Sequence, residues 1–467
     1  MQRTSGELIR HHAASRRVRR EAGLARRRDV PLEDHAAMPD IDGRRDPIDI
    51  LTAQDEARLQ HLVPIRHGRM SVSPFTFYRG SAAVQASDLS NTPTTDLTVQ
   101  LCGDAHLSNF GLFNGPDRRL VFDLNDFDET HPGPFEWDVK RLAASVAVAG
   151  RNNELSAKKI DGAVRAAVVG YRQVIWKCSQ VGPLDVHYWR LELDDLRDIA
   201  QTSKKGKKRF KKLHRKATAK DSVRALNKLT DIVDGRRVIV SDPPLIQRID
   251  EFMEPESIAQ LDDFFERYVA TLPPYRRRVL DRYSIVDVAH KVVGVGSVGT
   301  RCLIVLLESG DGEPLFIQFK EATGSVLEPY TQSSEYEPGE RVVVGQRLTQ
   351  TMGDIFLGWS HASGLIDGHP HYFYFRQMWD GKGSIDVDEM GGGRLRRYAE
   401  VCGQVLGVAH ARTGDAAMIA GYLGEDETFD HAVTSFAHAY ADLTELDHTA
   451  HLAACESGRV EATNDIG

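Results

Sequence analysis

Leu101-Cys-Gly-Asp-Ala-His-Leu-Ser-Asn-Phe-Gly111 is the stretch from which the rest of the chain can be read. It grows out of Leu97-Thr-Val-Gln-Leu-Cys102, a β-branched alternating run that predicts a strand, and its own Gly, Asp, Ser and Asn content predicts a loop. A carboxylate at that strand-to-loop step, Asp104, can orient a hydroxyl and accept its proton. The side-chain amide oxygen of Asn109 can ligate Mg²⁺. Arg119-Leu-Val-Phe-Asp-Leu124 predicts the next strand, and it ends in a burst of acids: Asp123, Asp126, Asp128 and Glu129. Asp126 can hold the same metal as Asn109, Asp123 sits nearer the strand end, and Asp128 is a candidate second ligand. Acids packed so closely repel one another unless a cation sits among them. The competing reading is turn chemistry, with Asp104 capping a turn, Asn109 in an Asx-turn and the acids solvated. His106 can orient the loop or touch phosphate, and is as readily a satisfied structural histidine.

Downstream, Val139 to Ala149 and Ile160 to Ile175 keep helical apolar spacing, and 256–270 reads as helical. The texture changes near Tyr283. Val292-Val-Gly-Val-Gly-Ser-Val-Gly299 leads into Arg301-Cys-Leu-Ile-Val-Leu-Leu307, which is strand-like, so Gly294, Gly296, Ser297 and Gly299 form a loop between strands rather than the start of a helix. Backbone amides in such a loop can cover nucleotide phosphates. After the turn signal Gly310-Asp-Gly312, Pro314-Leu-Phe-Ile-Gln-Phe-Lys320 puts Lys320 on a further strand. Flanked by Phe316, Ile317 and Phe319, Lys320 is not a typical solvated lysine, and it can reach α- and β-phosphates. A helix over 340–352, a strand over His371–Arg376 and amphipathic helices through Leu395–Ala409 and Phe429–Leu443 complete the pattern. The apolar positions of the last two are core stripes.

Composition excludes several classes. With 467 residues, 41% hydrophobic and 27% charged, the chain is neither disordered nor fibrous. Lys+Arg 59 against Asp+Glu 67 gives a net charge of −8, which is no general nucleic-acid footprint. The one local exception, the basic run 204–220, carries no aromatic beyond Phe210 and reads as a solvated helix face, so nucleic acid is not expected as a partner. Five scattered cysteines without a CxxC argue against disulfides and zinc and fit a reducing compartment. The Arg-rich segment 1–45 has no apolar run behind it, which is unlike a secretory signal, and reads as a surface arm or partly disordered tail. The location expected is the cytoplasm, with no membrane partner.

Leu101-Cys-Gly-Asp-Ala-His-Leu-Ser-Asn109 resembles the HGDxHxxN catalytic loop of aminoglycoside phosphotransferases and choline kinases within the protein-kinase-like superfamily. Asp126-Phe-Asp128 is similar to their metal-binding segment, and Asp138 in Glu-Trp-Asp-Val-Lys-Arg-Leu-Ala is similar to the aspartate of the helix that follows. The run from RHGRM (66–70) through FYRG, GDAHLSNFG, FDLNDFDET, FEWDVKRLAAS, GVGSVGTR, FKEA, GQRL, YFRQMWDGK and AHARTGD (409–415) resembles the bacterial family known as domain of unknown function 2252. Two departures stand out. Cys102 occupies the place of the usual loop histidine, and the glycine loop and lysine come after the catalytic loop instead of before it.

The resemblance therefore implies an α+β, two-lobed, protein-kinase-like fold that is circularly permuted, with a small antiparallel β-lobe and a larger, mainly helical lobe. The expected division is an arm at 1–45, catalytic and metal loops with helices at 46–282, a nucleotide-binding β-lobe at 283–380, and helices completing the larger lobe at 381–467. Asp104 is the expected base, assisted by His106. Asn109 and Asp126, with Asp123 and Asp128, are the expected metal ligands. Gly294, Gly296, Ser297, Gly299 and Lys320 are the expected nucleotide contacts, with Glu340 as the lysine's partner and Gln346 as the weaker choice. Arg69 and Arg79 are candidate phosphate or substrate contacts by charge. The activity implied is ATP- and Mg²⁺-dependent phosphoryl transfer to a hydroxyl of a small molecule or protein. The alternatives are AMP transfer on the same scaffold and a non-catalytic nucleotide-binding protein. A metallophosphoesterase would need further Asp-x-His and Gly-Asn-His motifs, which are not in position.

Overall fold

In the computed structural model of the chain, the described residues are 14–192, 226, 228–251, 255–292, 294, 296–363, 369–378 and 383–463. The basic run 204–220 lies outside them. The architecture is mixed α+β, and every strand pair among the described residues is antiparallel.

The chain opens with α1 (Arg16–Ala25), α2 (Pro47–Asp55), α3 (Val63–Met70), α4 (Pro74–Gly80) and α5 (Ala82–Leu89). Strands β1 (Thr98–Leu101), β2 (Phe110–Asn114), β3 (Leu120–Leu124) and β4 (His131–Pro134) follow. β1 pairs with β4, and β2 with β3, so the 101–111 stretch leaves one small sheet and enters another. Next come α6 (Phe135–Asn152), α7 (Ala157–Gln180), α8 (Pro183–Tyr188) and β5 (Leu191–Glu192). Then come β6 (Thr230–Val233), β7 (Arg236–Ile239), β8 (Ile246–Arg248), α9 (Pro255–Thr271) and α10 (Pro274–Leu280). β9 (Tyr283–Lys291), β10 (Cys302–Ser309), β11 (Pro314–Ala322), α11 (Pro338–Thr349), β12 (Gly358–Ser363) and β13 (Pro370–Gln377) form the next unit. β14 (Gly383–Ser384), α12 (Gly392–Thr413), α13 (Ala416–Leu423) and α14 (Thr428–Glu456) close the chain.

The six-stranded sheet runs β12-β13-β11-β10-β9-β8. Its central strands read as unbroken apolar runs because both faces are covered. On one face Phe264 and Tyr268 of α9 pack against Phe319, Phe373 and Phe375, with Tyr268 stacked on Phe375 at 3.9 Å. On the other, Ile304, Leu306 and Phe316 pack with Ile239 and Met378. The larger core lies among α6, α7, α12, α13 and α14. There α7 and α12 cross backbone to backbone: a Cβ on Gly403 would sit 2.0 Å from the carbonyl oxygen of Ala167, so only glycine fits.

The segment read as a surface arm is, from residue 14 on, part of the body. Helix α1 packs on α13 so closely that a Cβ on Gly23 would meet the Met418 carbonyl at 1.9 Å. Arg19 pairs with Asp415 at 2.8 Å, and Arg44 bridges the buried Asp88 and Asp447. Of the arginines that gave the segment its solvated look, Arg16, Arg19, Arg27 and Arg44 reach distant acids or carbonyls, while Arg17 and Arg26 pair locally and stay exposed. The five cysteines are unpaired by disulfide.

Candidate functional site

The site is organised by α6, an almost wholly buried helix whose Asp138 and Arg141 each hold a part of the loop after β1. Its Asp138 carboxylate accepts the backbone N–H of Cys102 at 2.7 Å and of Gly103 at 3.0 Å, and faces His410 Nε2 at 3.2 Å. That pins the turn at which β1 becomes loop. Gly103 there has φ +83°, and a Cβ would meet the Glu129 carbonyl oxygen at 2.1 Å, so the turn requires glycine. One turn along α6, Arg141 holds the Asp104 carboxylate through Nε at 2.8 Å, and is itself fixed by Gln85 and the Tyr78 carbonyl. Burial pushes the Asp104 carboxyl above its ordinary value, with Arg141 opposing.

The neighbouring side chains complete the loop. Asn109 donates Nδ2–H to the Asp104 carbonyl at 2.6 Å, so its amide oxygen stays an available acceptor. His106 accepts from Ser108 N at Nδ1 and lies 3.6 Å from Asp104 through Nε2. Burial, with Arg79 and Arg141 adding, holds His106 well below the usual imidazole range, so it is neutral and its proton sits on Nε2, toward Asp104. Cys102 gives its Sγ–H to the Asp126 carbonyl at 3.2 Å, and burial drives that thiol well up. It is a tie between the two loops, not a nucleophile.

The acids after β3 separate. Asp126 lines the cavities described next. Asp123 is turned into the body: it accepts from its own Leu124 N–H, faces Arg412 electrostatically, and burial pushes it up to about 6. It lines neither cavity, so the structure does not bring it to the predicted metal ligands. Asp128 is held by the Lys320 ammonium and by the Tyr374 hydroxyl at 2.7 Å. Burial alone would raise its carboxyl; Lys320 and these hydrogen bonds bring it below the ordinary value. Lys320, 2% exposed, also donates to Ser297 Oγ at 2.6 Å. The partners of Lys320 are thus Asp128 and Ser297, and Glu340 is not among them. The residue of α11 that reaches inward is the next one, Arg341, buried and bonded to the carbonyls of Thr130 at 2.5 Å, Asp128 at 2.7 Å and Thr323 at 2.9 Å. It ties the acid loop to the end of β11.

Two adjoining cavities result. The first, about 340 Å³, is lined by Asp104, His106, Asn109, Asp126 and Asp128 from one side and by Gly294, Gly296 and Ser297 from the other, with Arg58 and Arg79 on its wall. The second, about 300 Å³, is lined by Lys320, Arg376, Gln318, Gln346 and Met378, and shares Asp126, Gly294 and Ser297 with the first. Gly299 and Glu340 line neither. The glycine loop joins β9 and β10, neighbours in register from His290↔Leu303 to Tyr283↔Ser309. Its carbonyls are held from outside: Leu59 N–H to Gly299 at 2.8 Å, Arg58 to Val298 at 2.6 Å, and Arg69 to Gly294 at 2.7 Å. Arg69 is therefore a loop anchor, whereas Arg79 faces the cavity.

Sequence reasoning missed Arg141, Tyr374, Arg376 and Arg341. A signal existed for Arg141: it stands three residues after Asp138 in a helix otherwise rich in Ala and Val. Among the described residues no cluster of three or more His, Cys, Asp or Glu could hold a metal by itself. Asn109 and Asp126 are hard oxygen donors on one cavity wall, which fits a Mg²⁺ ion bound mainly by a ligand's phosphates. No helix among the described residues is long and apolar enough to cross a membrane. A family model described as an uncharacterized protein conserved in bacteria, domain of unknown function 2252, matches residues 58–454. No curated protein and no solved structure matches the chain.

Proposed function

We infer, for a chain that belongs to the domain of unknown function 2252 family, a kinase-like enzyme that transfers a phosphoryl group from ATP to a hydroxyl. The observation that carries this reading is the meeting of Lys320 and Ser297 with Asp128, two stretches far apart in sequence, at the shared wall of the two cavities. The order of parts supports it too: a glycine loop between β9 and β10, a lysine on β11, and a helix after it follow the kinase signature. Permutation is supported by the end of α12, where Thr413 Oγ1 accepts the N–H of Gln100 at 3.1 Å, so this helix abuts the strand that leads to Asp104.

On this reading the nucleotide lies along the second cavity, with its phosphates at the shared wall, near Lys320, Ser297 and the glycine-loop amides. Mg²⁺, held by Asn109 and Asp126, would supply charge neutralisation at those phosphates. Lys320 is a buried cation already at that wall, and Asp128 and Tyr374 fix its position. The acceptor hydroxyl lies in the first cavity against Asp104. Its oxygen forms a bond to the γ-phosphorus, the bond from that phosphorus to the bridging oxygen breaks, and ADP leaves with the electron pair. The hydroxyl proton passes to the Asp104 carboxylate. Arg141 orients that carboxylate, and neutral His106 supports it from the other side.

The experiment is incubation with MgATP and a pool of hydroxyl compounds, read by ³¹P NMR. ADP with a new phosphoester is the expected product. Pyrophosphate with an AMP ester would indicate nucleotidyl transfer, and tight ATP binding without product a binding protein. Asp104→Asn is expected to keep nucleotide binding and lose turnover. Full turnover in that variant would overturn the role of Asp104.

A further inference from the structure

One wall of the first cavity comes from residues 54–82, ahead of β1. Among these Arg79 stands apart. Arg66 is committed to Asp55 at 2.6 Å, Arg58 to the Val298 carbonyl, and Arg69 to the Gly294 carbonyl. Arg79 lines the cavity, and its Nε is buried with no hydrogen-bond partner among the described residues. The acids it faces at longer range are Asp104, Asp126 and Asp388. The acids that line the cavity are mostly engaged elsewhere. Asp104 is on Arg141, Asp128 is on Lys320 and Tyr374, Glu129 accepts the Val326 N–H, and Glu321 holds Arg301 and His371. A half-buried guanidinium whose Nε is enclosed and whose hydrogen-bonding fork is unfilled among the described residues is a poor structural element and a good anion receptor.

We propose that the 54–82 wall is the acceptor subsite, and that Arg79 holds there the phosphate or carboxylate of a small hydroxyl compound. Its hydroxyl then faces Asp104 across the same cavity. The size argues for a small acceptor: the first cavity holds about 340 Å³, which suits a metabolite, and the hydrogen bonds from Arg58, Leu59 and Arg69 fix the glycine loop against the 54–82 wall. The proposal rests on the phosphotransferase reading only for the direction in which the hydroxyl points; the anion site itself does not need it.

The test uses the full chain saturated with Mg²⁺ and a non-hydrolysable ATP analogue, titrated calorimetrically with glycerol 3-phosphate and glycerate, with glycerol as the neutral control. Both anions are expected to bind and glycerol not. Arg79→Gln is expected to weaken the anions at least tenfold while the analogue's affinity stays within twofold, and Arg79→Lys to restore part of the loss. Ala82→Glu places a carboxylate on the same wall while Arg79 is kept, and is expected to weaken the anions as well by competing for Arg79 and repelling them. Absence of anion binding to the wild type, or equal binding by Arg79→Gln, would overturn the proposal. So would a loss confined to the nucleotide analogue, which would make Arg79 a nucleotide contact. If the analogue does not bind at all, the same titration without it still reads the Arg79 dependence, so failure of the kinase-like reading is distinguishable from failure of the anion site.

Discussion

Cutting the Lys320–Asp128 contact should reveal a coupled pair rather than two independent residues. Lys320 is 2% exposed, while the Asp128 side chain is 28% exposed. Removing one member of a fully buried ion pair costs about 3–5 kcal/mol. Lys320→Met leaves Asp128 with some solvent and with the Tyr374 and Ser297 hydroxyls, so its cost falls to about 2 kcal/mol. Asp128→Asn leaves the enclosed ammonium with neutral acceptors, Ser297 Oγ and the new amide oxygen, in place of a carboxylate, and should cost about 3–4 kcal/mol. The double variant should lose little more than Asp128→Asn alone, which gives a coupling energy of about 2 kcal/mol. The assay is denaturant unfolding of the four proteins at pH 7.5. Additivity within about 0.5 kcal/mol would refute the reasoning, because the ammonium and the carboxylate would then not be acting on each other. Acid adds a second readout. Burial works to raise Asp128, but Lys320 and its hydrogen bonds hold it below the ordinary carboxylate value, so its contribution is full above that value and is lost as pH falls through the lowered one. The acid-unfolding limb should move to higher pH in Lys320→Met.

Glu129 should behave with the opposite sign. Burial pushes it from 4.5 up to about 7, against Arg341 and the Val326 N–H, so its contribution is full below its ordinary value and is lost as pH rises through about 7. Between pH 5 and 8, Glu129→Gln should gain on the wild type by up to about 3 kcal/mol, read as Tm at the two pH values, and parallel curves would count against it. Gly103→Ala should destabilise by more than about 2 kcal/mol, since both its φ and the Glu129 carbonyl forbid a Cβ. Gly235→Ala, with similar φ and open space around it, should cost only about 1 kcal/mol by the same thermal assay. Arg341→Met strands three carbonyls of the acid loop and β11 and should cost about 3 kcal/mol or more. Because Arg341 lines neither cavity, nucleotide affinity should fall through loosening of the loop, and hydrogen exchange at Phe127–Thr130 should rise with it.

What the sequence made legible was local. Gly103-Asp to Asn109 with Asp126, the glycine loop between two strands, and Lys320 on the next strand are short motifs whose residue types are tied to backbone shape, and the structure brings Asp104, Asn109, Asp126, Ser297 and Lys320 to two adjoining cavities. What was not legible depends on pairing across the fold. Glu340 and Arg341 are adjacent in sequence, but one residue is a 100° rotation on a helix, and only packing decides which faces inward. The crowded acids implied a cation, and part of that role belongs to Lys320, from a strand far downstream. The N-terminal arginines read as solvated because composition cannot show that Arg19 meets Asp415 or that Arg44 meets Asp447.

The most direct measurement is calorimetric titration of the full chain with a non-hydrolysable ATP analogue, with and without Mg²⁺, beside Lys320→Met and Asp126→Ala. The account predicts a single Mg²⁺-dependent site in the wild type, with affinity reduced at least tenfold in each variant while the fold is kept. No binding to the wild type, or binding that both variants leave unchanged, would contradict it.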